Sequence, residues 1–163
     1  MTLHVFNPEH DIALAYDNKY FTAPHAGRRL RYDLDYLPVL WAEEGDFVLV
    51  ENVNSAQQHA LRLQRYGKQV HFVNKDDVER LSEQIDKVLP WGWDSSVKFQ
   101  LEQMGVSGSV LPDDEMLADI RKLSNRQFSS DVLKELQGCL NNPILLGKAF
   151  YVDRLSDLEN ILK

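Results

Sequence analysis

The chain has 163 residues, 44% hydrophobic, 10% aromatic and 26% charged, with a formal net charge of −7. This is the composition of a folded globular protein of one domain, or one domain and a small appendage; it excludes disordered, collagenous and coiled-coil chains. Acids outnumber bases in both halves, twelve to nine in residues 1–81 and thirteen to nine in residues 82–163, so no basic arm offers itself to nucleic acid.

The single cysteine excludes an internal disulfide and fits a reducing compartment. The first residues, MTLHVFNPEHD, lack the basic and apolar regions of a signal peptide. No run approaches the ~18 apolar residues of a membrane helix. The expectation is a cytoplasmic protein without membrane contact.

Leu3 to Phe6 reads as a buried first strand, broken by Asn7-Pro8. Pro24 and His25 open a helix whose apolar stripe is Leu30, Leu34, Leu37 and Trp41, at steps of four, three and four. Arg28, Arg31 and Asp35 lie off that stripe, and the four-residue spacing of Arg31 and Asp35 suits a surface pair. Asp46 to Glu51 is a second strand, apolar enough to be covered on both faces. Asn54 or Ser55 caps the next helix, which buries Ala56, Ala60 and Leu63 and ends at Gly67. Lys68 to Asn74 is a third strand. Val78, Leu81, Ile85 and Val88 continue as a helix, unless Lys87-Val88-Leu89 is instead a fourth strand.

Pro90-Trp91-Gly92-Trp93-Asp94 is a rigid aromatic turn, with Asp94 capping a helix that carries Val97, Leu101 and Met104 and closes at Gly105. A brief strand is expected near Ser109 to Leu111. Two helices follow, one with Met116, Ile120 and Leu123, the other with Phe128, Val132, Leu136 and Cys139, stopped by Asn141-Asn142-Pro143. Cys139 reads as core. Lys148 to Asp153 looks like a strand, and Leu155, Leu158 and Leu162 mark a last amphipathic helix. Strands alternating with helices predict an α/β fold, a mostly parallel sheet with helices on both faces.

In such sheets ligands bind beyond the carboxyl ends of the strands. The loop after the first strand offers Asn7, Glu9, His10 and Asp11, which could hold a hydroxyl or an amine or could satisfy a turn. The second strand ends on Glu51-Asn52, suited to a ribose or an amine, or to a solvated helix start. Trp91 and Trp93 flank a glycine and make a stacking surface, or plug a seam between layers. Arg28, Arg29 and Arg31 form a basic knot at the start of a helix, where cations oppose the helix dipole; a phosphate or carboxylate would compensate, and a solvated face with salt bridges is the plainer alternative. No catalytic set is visible, no metal site has recognisable spacing, and His4 and His71 read as strand residues with structural roles.

Three segments carry a resemblance: Phe6-Asn7-Pro8-Glu9-His10-Asp11, the Pro90-Trp91-Gly92-Trp93 turn, and Leu117-Ala118-Asp119-Ile120-Arg121-Lys122-Leu123-Ser124. With the element order, they make the chain resemble the N-terminal portion of an ATP-grasp enzyme, more narrowly of an ATP-grasp-like group of Bacteroides-type bacteria. The resemblance implies a Rossmann-like three-layer α/β/α pre-ATP-grasp domain over residues 1–111. Residues 112–163, a helical pair plus a strand and helix, would then begin an ATP-grasp domain. Departures are Ser124-Asn125-Arg126, where the family commonly has Asp-Lys, and Asn142-Pro143, where it turns through Gly-Ile-Pro.

The function implied is an ATP-dependent ligase that activates a carboxylate for attack by an amine or thiol. This stretch would supply substrate contacts, with no cofactor of its own. ATP and Mg²⁺ would belong to the full-length parent, held by an ATP-grasp domain following residue 163 in the same chain. The alternative is a self-contained, non-catalytic α/β module that binds a small molecule or nucleotide. A third reading has Trp41, Trp91 and Trp93 dock on a partner subunit, a homodimer included.

Overall fold

The computed structural model describes residues 1–63, 65–139, 150–152 and 154–162. The chain divides into two units, Met1–Leu117 and Ala118–Lys163. The first unit is α/β. Strands β1 (Thr2–Val5), β2 (Phe47–Leu49), β3 (His71–Val73) and β4 (Lys87–Pro90) form one all-parallel sheet in the order β3-β2-β1-β4. Helices α1 (His10–Tyr16), α2 (His25–Leu34), α3 (Val53–Ala60), α4 (Lys75–Leu81) and α5 (Ser95–Gln103) fill the connections.

Register explains the layers. Leu3 lies opposite Phe47 and Val88, and Leu49 opposite Val5 and Val73. Side chains alternate along a strand, so these residues share one face. They pack with Val78 of α4, with Val97 and Leu101 of α5 and with Met104, which caps the end of α5, in the larger core. Val48 and Val50 face the other way, onto Ala56 of α3 and Ala42, with Phe72 beside them. Two covered faces make this the Rossmann-like three-layer α/β/α arrangement.

The connections bear out several local readings. Asp94 caps α5, its Oδ1 accepting from the backbone N–H groups of Ser96 and Val97 at 2.9 Å each. Gly105 follows the helix at φ +78°, a conformation glycine adopts without a Cβ clash. The ambiguous Lys87-Val88-Leu89 is a strand, because the chain there pairs along its length with β1.

Other expectations are corrected. The cap of α3 is Asn52, whose side chain accepts from the Ser55 N–H at 2.9 Å; α3 ends at Ala60, and Leu61–Leu63 continue as a 3₁₀ turn. Ser109 to Leu111 is no strand, since Gly108–Val110 wind into a 3₁₀ turn capped by Ser107. Helix α2 stops at Leu34, and its apolar stripe is not its buried face: Leu30 and Trp41 are exposed while Asp35 is buried. Arg31 pairs with Glu9 rather than with Asp35. Helix α1 was not foreseen; its seven residues are too few to show a period.

Helix α6 (Asp114–Ser124) carries the boundary between the units. Its buried residue is Leu117, and Met116 and Leu123 are exposed. The second unit contains α7 (Arg126–Cys139) and α8 (Leu155–Ile161). Cys139 is exposed rather than core. Phe150, Tyr151 and Val152 are exposed and form no strand; the rest of the expected strand, at 148, 149 and 153, and the Asn141-Asn142-Pro143 stop lie outside the described residues. No helix among the described residues is long and apolar enough to cross a membrane.

Candidate functional site

The order β3-β2-β1-β4 puts β2 and β3 on one side of β1 and β4 on the other. The carboxyl ends of β1 and β4 are therefore where the strand order reverses, the switch point at which open α/β sheets bind ligands. Three groups of polar side chains collect along this edge.

The first group joins the β1 and β4 loops. Asn7, fully buried, donates from Nδ2 to the Gly92 carbonyl at 2.8 Å and to Asp94 Oδ2 at 3.2 Å, and its Oδ1 accepts from the Gly92 N–H at 3.2 Å. His10 sets Nδ1 at 3.4 Å from Asp94 Oδ2. Its ring lies so close to Gly92 that a Cβ there would come within 2.2 Å of it. Glycine at 92 is thus what admits the imidazole. Asp94 is 2% exposed, and burying a carboxylate is costly unless its oxygens are bonded. Here one oxygen caps α5 and the other faces Asn7 and His10.

The second group centres on Arg31, which α2 projects over the strand ends. Its Nη2 bonds Glu9 of the β1 loop, and its Nη1 stands 3.5 Å from Gln100 Oε1 of α5. Burial pulls the guanidinium below its ordinary pKa; the charges of Glu51 and Asp94 oppose that shift. Acids leaving β1, β2 and β4 thus surround one arginine. Arg31 Nε and Glu9 Oε2 are buried and bond nothing among the described residues.

The third group is the wall of a cleft of about 580 Å³, in the size range of small-molecule sites. Val5, Phe6 and Leu49 line it with Leu101 of α5 and Met104 at its end. Arg31, Asp35, Glu51, Lys75 and Asp76 give it charge of both signs, and Asn74 adds a neutral amide. Asp35 accepts the Glu51 N–H at 2.7 Å. Burial, chiefly, pushes its carboxyl up to about 6; the nearby Glu51 charge adds to this, while the Glu51 N–H and His59 act against it.

The residues singled out in the sequence scatter across this picture. Asn7 and His10 come together at the switch point, Glu9 pairs with Arg31, and Glu51 reaches the cleft. Asp11 is exposed on α1, and Asn52 is occupied as the α3 cap. Trp91 is 61% exposed, with Phe6 at 5.6 Å edge-on and Trp41 at 6.0 Å, whereas Trp93 packs on the larger core. Arg28 and Arg29 are exposed: Arg28 donates to the Ala23 carbonyl at 2.8 Å, and Arg29 pairs with Asp33 at 2.9 Å.

Sequence reasoning passed over Asp35, Asn74, Asp76 and the Asp94–His10 contact, and it grouped Arg31 with Arg28 and Arg29, which the structure leaves exposed and apart from it. The four-residue step between Arg31 and Asp35 did place both on one helix face; what it concealed is that this face looks inward. Among the described residues no three His, Cys, Asp or Glu side chains group as metal ligands. Comparison with family models, with curated proteins and with solved structures finds no match to this chain.

Proposed function

We propose that the first unit binds a small, charged organic molecule in the Arg31 cleft, as the substrate-side domain of an ATP-dependent ligase. The carrying observation is the cleft itself: a chamber at the carboxyl ends of three parallel strands, with an arginine held among carboxylates. A preorganised guanidinium suits a ligand carboxylate or phosphate. Glu51 and Asp76 suit an ammonium or a hydroxyl, and the Phe6, Leu101 and Met104 wall suits an apolar portion. The ligase assignment comes from the resemblance to ATP-grasp enzymes. On that reading a substrate carboxylate becomes an acyl phosphate, which an amine or thiol then attacks. ATP and Mg²⁺ are held elsewhere in the parent, and no contact with them is asked of these residues.

Isothermal calorimetry on the whole chain tests this reading. The probes are carboxylic acids, amino acids and phosphorylated metabolites, with ATP and NAD run separately. Heat from a carboxylate-bearing probe, abolished by Arg31→Met and absent with ATP alone, is the expected result. Heat from no probe would overturn it. Tight binding of ATP or NAD in the same cleft would instead favour the stand-alone nucleotide-binding module.

A further inference from the structure

Among the described residues two histidine–aspartate pairs form, and their surroundings differ. His4 Nε2 meets Asp46 Oδ2 at 3.0 Å, with 4% of the His4 side chain exposed and its Nδ1 sealed without a partner. This pair links β1 to the residue preceding β2, at the amino edge of the sheet, away from where ligands bind. His10 and Asp94 form the other pair, at the switch point on the carboxyl edge. Here 14% of the His10 side chain stays exposed, and Nε2 hydrogen-bonds nothing among the described residues.

Asp94 is built to hold this imidazole. Its carboxylate faces four donors: the Ser96 and Val97 N–H groups, Asn7 Nδ2 and His10 Nδ1. A carboxylate so placed acts as an acceptor, so the nitrogen facing it carries the proton. That fixes the Nδ1–H tautomer and leaves the Nε2 lone pair free. Gly92 supplies the space, since any side chain there would displace the ring. A contact of 3.4 Å is long for a working hydrogen bond, but such bonds often tighten only once a ligand is bound.

We propose that His10 is a proton acceptor oriented by Asp94, which takes the proton from the amine or thiol nucleophile of a ligation at the β1/β4 edge. As the nucleophile attacks an acyl phosphate, the C–N or C–S bond forms. The N–H or S–H proton passes to His10 Nε2, and the electron pair of the breaking acyl C–O bond leaves with phosphate. The identity of the nucleophile rests on the ligase reading; the state of the dyad does not.

Asp94→Asn is the discriminating variant. Asparagine remains a good N-cap, so α5 keeps its cap. Its amide nitrogen now faces His10 Nδ1 and donates to it, which moves the imidazole proton to Nε2. Long-range ¹H–¹⁵N spectra of the full chain at about pH 8, where an ordinary imidazole is neutral, read the tautomer directly. Wild type should show His10 protonated at Nδ1, and the variant should show it at Nε2. Peptide mapping after diethyl pyrocarbonate treatment reads the lone pair. His10 should react in wild type while His4 stays protected, and the Asp94→Asn variant should lose this reactivity severalfold relative to exposed His25 and His71. A wild-type His10 protonated at Nε2 would overturn the proposal, because it needs no variant to fold. So would equal His10 reactivity in both proteins. Failure of the calorimetry with a normal tautomer would strike the ligase reading alone, and the reverse result would strike the dyad alone.

Discussion

Asp35 shows how one buried side chain makes stability depend on pH. Its folded pKa of about 6 lies above the ordinary 3.8, so the folded state holds the proton more tightly than the unfolded chain does. Stability linked to this group is therefore fully present below about pH 4, falls as pH rises towards 6, and stays lower above that. Asp35→Asn removes the ionisation while its amide oxygen can still accept the Glu51 N–H. At pH 8 the variant should be more stable than wild type by about 1–2 kcal/mol, with no gain at pH 4. Urea melts at the two pH values check this, and an equal gain at both would contradict the buried-carboxylate account. Arg31 should behave oppositely. Arg31→Met leaves Glu9 buried and unpaired, which costs about 3–5 kcal/mol, whereas Arg31→Met with Glu9→Leu should regain most of that loss. A double-mutant cycle measures the difference. The loop after β1 was legible as a site because it follows a strand, yet Glu9's partner was not. Arg31 is 22 residues away, and nothing local in the sequence aims it there.

Among the elements, β1, β2 and β3 could be read because their apolar runs are flanked by turn and cap residues. Asp94 and Gly105 bracket α5 for the same local reason. Helix α2 misled because the apolar-stripe rule assumes that the inward face is greasy. Here the inward face carries Arg31 and Asp35 to the site, and none of the ten helical residues is buried. The tryptophan turn was read for its rings, whereas the residue between them matters more to the site. Gly92→Ala would bring a methyl group within 2.2 Å of the His10 ring. The imidazole must swing out, so the variant should lose the His10–Asp94 contact while retaining β4 and the α5 cap. Backbone amide shifts of α5 should stay close to wild type as the His10 ring signals move. Asp94→Ala should do broader damage, because the cap and the acceptor for Asn7 go together. A loss of about 2–3 kcal/mol is expected, a cap plus one unsatisfied buried donor. Asp94→Asn should lose markedly less in the same melts.

At the level of the whole molecule, the two units differ in what holds them. Both apolar clusters, from Leu3 to Leu111, lie within Met1–Leu117, and so do the sheet, the Arg31 cleft and the dyad. In the second unit Leu123, Leu136, Leu155 and Leu162 are exposed, and Ser130 is the buried residue of α7. Periodicity in the sequence marked those helices correctly as amphipathic. It could not say whether their apolar faces are covered, because covering depends on what packs against them. A domain folds alone when its own core offsets chain entropy. Residues 1–124, cut after α6 so that no helix is severed, should therefore keep the fold and the site. The shortened chain should melt cooperatively within a few degrees of the full chain. Its first-unit amide shifts should be preserved, as should the His10 tautomer and any ligand affinity of the cleft. If the sheet unfolds on truncation, the first unit is not an independent binding domain. If the fold survives but ligand affinity falls, the first unit alone does not account for binding in the Arg31 cleft.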